Sequence, residues 1–363
     1  MSSTPSRYTG VARNFVSRLT GAVSPLPIGY FTIGITHRCA LRCRMCNIWK
    51  QTGGFDRELD CDAWIRRIKN TTLLGERGHV FITGGEPFLK PGFGKFLRDL
   101  LRLERVGSVS IATGGAMTER IVEDVNHAME GLGDGRTLCV SISLDAAGDL
   151  NDEIRGRKGV FAGVERTIDA IRSLRGEFPG LSTLACCTLQ PMNIGHIEEL
   201  RSFCRGKSLQ CHFSIVQQAP NLSNLDSDYS AMAFTAAEQR MVVEVAGFPG
   251  IDKWFEPEGA RPLRCFAGYA SIYINPAGDV YPCITMAGRE EFVMGSIAAA
   301  EIDDVWKSPR AWEVRKRARR CGYKDCWSGC ELDATLCQYR PLNRLVRKAS
   351  MGWIDLYRIL KLV

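Results

Sequence analysis

The chain has 363 residues, 45% of them hydrophobic and 24% charged, a composition that can bury a sizeable core and reads as an ordinary soluble protein. Its 47 basic residues exceed the 40 acidic ones by a mild margin that suits anionic cofactors or surfaces. With no basic-aromatic cluster beside that charge, a nucleic-acid partner is not expected.

The opening stretch, 1 to 23, lacks the apolar run and small-residue cleavage site of a secretory signal, and no stretch is long and apolar enough to span a bilayer. A cytoplasmic location is therefore expected. In a reducing compartment fifteen cysteines do not make a disulfide framework, so clustered ones read as metal or cluster ligands.

From 29 to 216, short β-rich runs alternate with amphipathic segments. Strands are predicted at 30–36, 79–83, 106–113, 138–144, 181–189 and 210–216, and helices at 62–74, 94–103, 118–129, 160–174 and 194–204. Such alternation predicts a parallel sheet, and six units fit an incomplete barrel or an open doubly wound sheet. Either architecture gathers ligands at the carboxyl ends of its strands. Four consecutive predicted ends carry fitting residues: Cys39, Cys43 and Cys46 after the first, Gly84-Gly85-Glu86-Pro87 after the second, Thr113-Gly114-Gly115 at the third, and Ser143 and Asp145 closing the fourth.

Residues 217–228 read as a polar loop and 235–246 as a helix, within a linking region 217–264. A smaller unit then spans 265–338, with a hairpin over 273–281 around Asn275-Pro276-Ala277-Gly278. An N-terminal extension, 1–28, and a C-terminal amphipathic helix, 339–363, flank these parts. The tail repeats apolar residues at helical period beside basic ones; docking on the protein's own core is the preferred reading, and peripheral contact with an anionic membrane surface is the other.

Three thiols on one loop can ligate three corners of an iron-sulfur cubane and leave the fourth iron open for a ligand. The three-two spacing of Cys39, Cys43 and Cys46 after a first strand resembles the signature of the radical S-adenosylmethionine superfamily. That resemblance implies a partial (β/α)6 barrel of the TIM type over 29–216. It also implies a catalytic [4Fe-4S] cluster that reductively cleaves S-adenosylmethionine to a 5′-deoxyadenosyl radical, with an electron donor such as a flavodoxin or ferredoxin. It places Met45 near the adenine, Gly84 to Pro87 and above all Glu86 against the methionine amino group, and Ser143 and Asp145 near the ribose or carboxylate. Arg155 would reach the methionine carboxylate, Thr113 would stand at a turn that borders the cofactor, and Gln190 would line the pocket or cap a loop. A structural zinc at the triad is the bland alternative.

Cys265, Cys283, Cys321, Cys326, Cys330 and Cys337, with Gly278-Asp-Val-Tyr-Pro-Cys283 between them, resemble the SPASM or Twitch extension of radical enzymes, an α+β unit that holds auxiliary clusters. One auxiliary [4Fe-4S] cluster on Cys265, Cys283, Cys326 and Cys330 is expected, with Cys321 and Cys337 as substitutes and a structural zinc as the alternative. The other thiols, Cys61, Cys139, Cys186, Cys187, Cys204 and Cys211, are expected to pack in the core. The substrate is left open between a peptide and a small molecule, with a lipid or sugar at a membrane surface as the second enzymatic reading and a non-catalytic iron-sulfur carrier or scaffold as the rival from another class.

Overall fold

The computed structural model of the protein describes residues 30–133, 135–246 and 265–319, together with Asn14, Ser17, Ile28, Phe255 and Cys321. Cys326, Cys330, Cys337, the C-terminal tail and most of the N-terminal extension lie outside the described residues.

Six strands stand in the sheet in their chain order: β1 (Tyr30–Gly34), β2 (Gly78–Thr83), β3 (Val106–Thr113), β4 (Thr137–Ser143), β5 (Leu181–Leu189) and β6 (Cys211–Ile215). All five neighbouring pairs are parallel. The order never reverses, so the sheet has no switch point of the doubly wound kind and is the incomplete barrel. Ile33, Ile82, Ile111 and Val140 lie side by side in register and are fully buried, which pins the pairing through the core.

The helices between these strands are amphipathic and lay their apolar stripe against the sheet. In α1 (Cys61–Asn70) the Asp60 carboxylate caps the first turn by accepting from the Ala63 N–H at 2.6 Å, and Trp64 and Ile68 face inward. In α2 (Phe93–Arg102) the buried residues Phe93, Phe96, Leu97, Leu100 and Leu101 follow the helical period. α3 (Thr118–Met129), α4 (Asp149–Arg155), α5 (Val160–Leu174), α6 (Pro191–Ile194) and α7 (Ile197–Gly206) complete the layer. The single helix predicted over 194–204 is two pieces, because α6 ends at Gly195 and the chain restarts at Ile197.

Beyond α8 (Ala236–Ala246), the hairpin forms as predicted: β7 (Ser271–Ile274) pairs antiparallel with β8 (Asp279–Tyr281), with Gly278 at φ +93° in the turn. The C-terminal part shares the barrel's sheet, since β7 runs parallel to β1 with Tyr30 opposite Ser271 and Ile33 opposite Ile274. With β9 (Gly295–Ser296) the result is one nine-stranded sheet. α9 (Ile302–Lys307) and α10 (Pro309–Ala318) follow. Side chains at the start of α9 tie back to the barrel: Glu301 pairs with Arg67, and Asp303 accepts from the Thr71 hydroxyl at 2.6 Å and the Thr72 N–H at 3.0 Å. Among the described residues no helix is long and apolar enough to cross a membrane.

Candidate active site

The loop after β1 is held at four places along its length, between and around its thiols. At its root, the buried carboxylate of Glu58 accepts from the Thr36 hydroxyl (2.9 Å), the His37 N–H (2.7 Å) and the Lys90 ammonium (3.1 Å). On its inner side the end of β2 lies backbone to backbone against it, Gly85 N–H donating to Thr36 O and Glu86 N–H to Arg38 O, both at 2.7 Å. A Cβ on Gly84 would stand 2.3 Å from Thr36 O and one on Gly85 the same distance from Arg38 O, so only glycine fits at either position. The close approach that the glycine pair allows is thus to the cysteine loop itself, in addition to the cavity both residues border.

Further along, Arg42 and Arg44 N–H groups donate to Arg155 O and Ile154 O at the end of α4. Outside, a strap over 217–229 clasps the loop. The Asn224 amide donates to Met45 O (2.7 Å) and to Gln217 O (3.2 Å), Tyr229 donates its hydroxyl to the same two carbonyls, and Asn47 N–H reaches Leu222 O at 2.8 Å. Most of the strap falls within the predicted polar loop 217–228. Its many polar residues are the trace of that bonding.

The held loop opens on a cavity of about 320 Å³ at the carboxyl ends of the strands. Cys39, Cys43, Met45 and Cys46 border it, as do Gly84, Gly85 and Glu86 from β2, Thr113 from β3, Ser143 from β4, and Arg155 from α4. Burial pushes the Cys39 thiol up to about 12 and that of Cys46 up to about 11. Among the described residues no three His, Cys, Asp or Glu side chains converge closely enough to hold a single metal ion. Cys39, Cys43 and Cys46 all border the one cavity.

Glu86 is buried, and both its oxygens accept from neutral donors: the Thr113 hydroxyl (2.9 and 3.0 Å), the Gly114 N–H (2.8 Å) and the Phe88 N–H (3.3 Å). No basic side chain among the described residues pairs with it, and burial raises its pKa despite those donors. A buried carboxylate of that kind, bordering a cavity, has the chemistry to receive an ammonium group. Thr113 therefore serves by fixing Glu86.

Asp145 and Arg155 form a buried ion pair at 2.8 Å, and the Arg155 guanidinium stands 3.8 Å from the Cys43 sulfur. Burial pushes the Asp145 carboxyl up and the neighbouring guanidinium pulls it back. Asp145 is fully buried and not among the residues that line the cavity; its carboxylate pairs with Arg155, which does face the cavity. Pro87 and Gln190 are likewise not lining residues. Pro87 starts a 3-10 turn at Glu86, and Gln190 is the cap residue of α6, its N–H donating to the Asn193 side chain at 2.9 Å.

Sequence reading also missed residues that the cavity uses. Cys186, expected in the core, lines the cavity with its sulfur 3.0 Å from the Ser141 hydroxyl, while Cys187 points to the opposite face and is buried. Trp49 supplies an aromatic wall one helical turn beyond Cys46, its indole N–H bonded to Cys46 O at 2.8 Å. Position three residues after the last thiol was the available signal. Thr188, Ser214, Gln217 and Asn221 complete the polar side.

Of the second cysteine set, the structure describes Cys265 before β7, Cys283 after β8 and Cys321 beyond α10. The first two segments are bound together by Gly268 N–H donating to Pro282 O at 2.9 Å. Ile284, next to Cys283, borders the large cavity.

A loop of three thiols and a buried carboxylate thus border one cavity at the strand ends of an incomplete barrel. The chain matches the radical SAM superfamily over residues 33–204 and the SPASM iron-sulfur cluster-binding domain over 265–331, and it belongs to that superfamily as a SPASM-containing radical SAM enzyme. Its cofactors are accordingly a [4Fe-4S] cluster, S-adenosylmethionine and auxiliary iron-sulfur clusters.

Among similar proteins are the antilisterial bacteriocin subtilosin biosynthesis protein AlbA of Bacillus subtilis, 23% identical over 91% of this chain and 71% of that one, and the PqqA peptide cyclase of Methylorubrum populi, 25% identical over 86% and 82%. Of solved structures, Streptococcus suis SuiB bound to S-adenosylmethionine superposes with a TM-score of 0.61 at 18% identity, covering 92% of this chain and 80% of that one. SuiB bound to its precursor peptide SuiA gives 0.59 at 17% identity, covering 88% and 73%.

If Glu86 receives the cofactor's ammonium, Glu86→Gln weakens S-adenosylmethionine binding by about 1.5 to 3 kcal/mol, roughly tenfold to a hundredfold, with iron content unchanged. Wild-type affinity should fall as pH drops through the raised Glu86 pKa, because the protonated acid no longer attracts an ammonium, and the glutamine variant should lose that dependence. Titration of both proteins at several pH values checks the two expectations; equal affinities would remove Glu86 from the site.

Proposed function

We propose that the enzyme modifies a peptide, with Cys39, Cys43 and Cys46 holding the catalytic cluster and the strap side of the cavity receiving the substrate. The observation that carries the cluster assignment is the joint placement of the three thiols, Glu86 and Arg155 around one cavity at the strand ends. When bound, the cluster and S-adenosylmethionine supply a one-electron cleavage to methionine and a 5′-deoxyadenosyl radical, which takes a hydrogen atom from the substrate.

The chain's own residues bind, orient and exclude water. Glu86 would hold the ammonium, Arg155 would offer its guanidinium to the carboxylate, Ser143 would stand near the ribose or carboxylate, and Met45, Ile48 and Trp49 give apolar walls. The peptide reading is supported by relatives whose names specify a peptide, the PqqA peptide cyclase and SuiB with its precursor. The electron donor we assign to the flavodoxin or ferredoxin class.

The test is to incubate the anaerobically reconstituted protein, S-adenosylmethionine and a reductant with peptides encoded by small reading frames beside its gene. A mass change in one peptide, stoichiometric with 5′-deoxyadenosine, is expected. Abundant 5′-deoxyadenosine with every peptide unchanged, and a small molecule consumed in their place, would overturn the peptide assignment.

A further inference from the structure

Three cationic side chains lie deeply buried among the described residues, and two have a carboxylate: Lys90 pairs with Glu58 at 3.1 Å and Arg155 with Asp145 at 2.8 Å. The third, Arg315 in α10, is fully buried, has no carboxylate partner among the described residues, and leaves its Nη1 without an acceptor. Its Nε donates to Gly268 O at 2.6 Å and its Nη2 to Trp306 O at 2.8 Å, while the guanidinium lies over the rings of Trp306 (4.2 Å) and Trp312 (4.8 Å).

Two carbonyls and aromatic faces offset only part of the cost of burying a full charge. Burial accordingly lowers the Arg315 pKa to about 10. Its surroundings are specific. Gly268, to which it donates, lies three residues after Cys265 and is itself bonded to Pro282, the residue before Cys283. Cys321, whose N–H donates to Ala318 O, follows on the same helix end. The uncompensated cation thus packs on the junction of the auxiliary cysteine segments, where a thiolate-ligated cluster brings net negative charge.

We propose that Arg315 is the counter-charge of the auxiliary cluster, a positioning residue that sets the cluster's reduction potential by favouring its more negative, reduced state. The proposal rests on the reading that Cys265 and Cys283 are ligands of that cluster. It predicts that neutralising Arg315 makes the cluster harder to reduce.

The test uses the full chain carrying Cys39→Ala, Cys43→Ala and Cys46→Ala, reconstituted anaerobically so that any remaining iron belongs to the auxiliary site. In this background Arg315→Met and Arg315→Gln should lower the midpoint potential, followed by electron paramagnetic resonance, by at least a tenfold change in the oxidised-to-reduced ratio, about 59 mV for a one-electron couple. Arg315→Lys keeps the charge and should change that ratio by less than about threefold.

Neutral variants that hold their iron at an unshifted potential would overturn the proposal. So would a lysine variant that shifts as far as methionine, since packing and not charge would then be responsible. If neither neutral variant folds, lysine decides alone: a retained potential supports the counter-charge and a tenfold fall overturns it. An iron-free parent triple variant would instead show that the ligand reading itself is wrong, and the proposal would fall with it.

Discussion

Replacing any one of Cys39, Cys43 or Cys46 by alanine is expected to reduce 5′-deoxyadenosine formation to background. Two thiolates cannot hold a cubane with one defined open iron, and no other thiol is placed to substitute on the same loop. The loop is fixed by the end of β2, the end of α4 and the strap, so the lost ligand cannot be replaced by sliding the chain. Cys186 also lines the cavity, but it sits on β5 and is already engaged with Ser141. The measurement is anaerobic turnover with chromatographic detection of 5′-deoxyadenosine, beside circular dichroism to confirm folding. A single variant that keeps near-normal cleavage would refute the assignment of the triad.

Asp145→Asn should cost about 3 to 5 kcal/mol of stability, because it leaves the Arg155 charge buried without its partner. The carboxamide keeps the shape of the carboxylate, so the loss reports charge and not a cavity. The double variant Asp145→Asn, Arg155→Met should recover a large part of that loss, since no uncompensated charge remains. Urea unfolding of the iron-free proteins gives the cycle. Iron retention gives a second readout: with Arg155 released, the cysteine loop loses the anchor that α4 provides through Arg155 O and Ile154 O. Additive losses in the double variant would mean that the two residues do not act as a pair.

Much of the barrel was legible in the sequence for a physical reason. Strands such as Val106–Thr113 and Leu181–Leu189 are bounded by turn residues, and helices such as Thr118–Met129 and Val160–Leu174 carry an unbroken apolar period, so local pattern and final structure agree. The chemistry-bearing strand ends were readable because the barrel rule needs only chain order. Contacts distant in sequence were not. Nothing local in Ser271–Ile274 says that it will pair with Tyr30–Gly34, 241 residues away by register, and place the C-terminal segments in the barrel's own sheet.

Alternation also tells which residues share a face, but not which face meets the cavity. Cys186 and Cys187 were separable as opposite-facing, yet only the barrel's closure turns Cys186 toward the site. The Asp145–Arg155 pair was not legible for the same reason: the arginine comes from α4, whose Asp149–Arg155 sequence has too few apolar residues to show a helical stripe. Asn224 and Tyr229 were invisible as functional residues because their partners, the carbonyls of Met45 and Gln217, are backbone groups that no side-chain pattern reveals.

The most direct test of the central assignment is reductive cleavage by the wild-type chain. Reconstituted with iron and sulfide under anaerobic conditions and given S-adenosylmethionine and a strong one-electron reductant, it should release 5′-deoxyadenosine and methionine in equal amounts. A reconstituted protein that carries its clusters, binds S-adenosylmethionine and yet yields no 5′-deoxyadenosine would contradict the account.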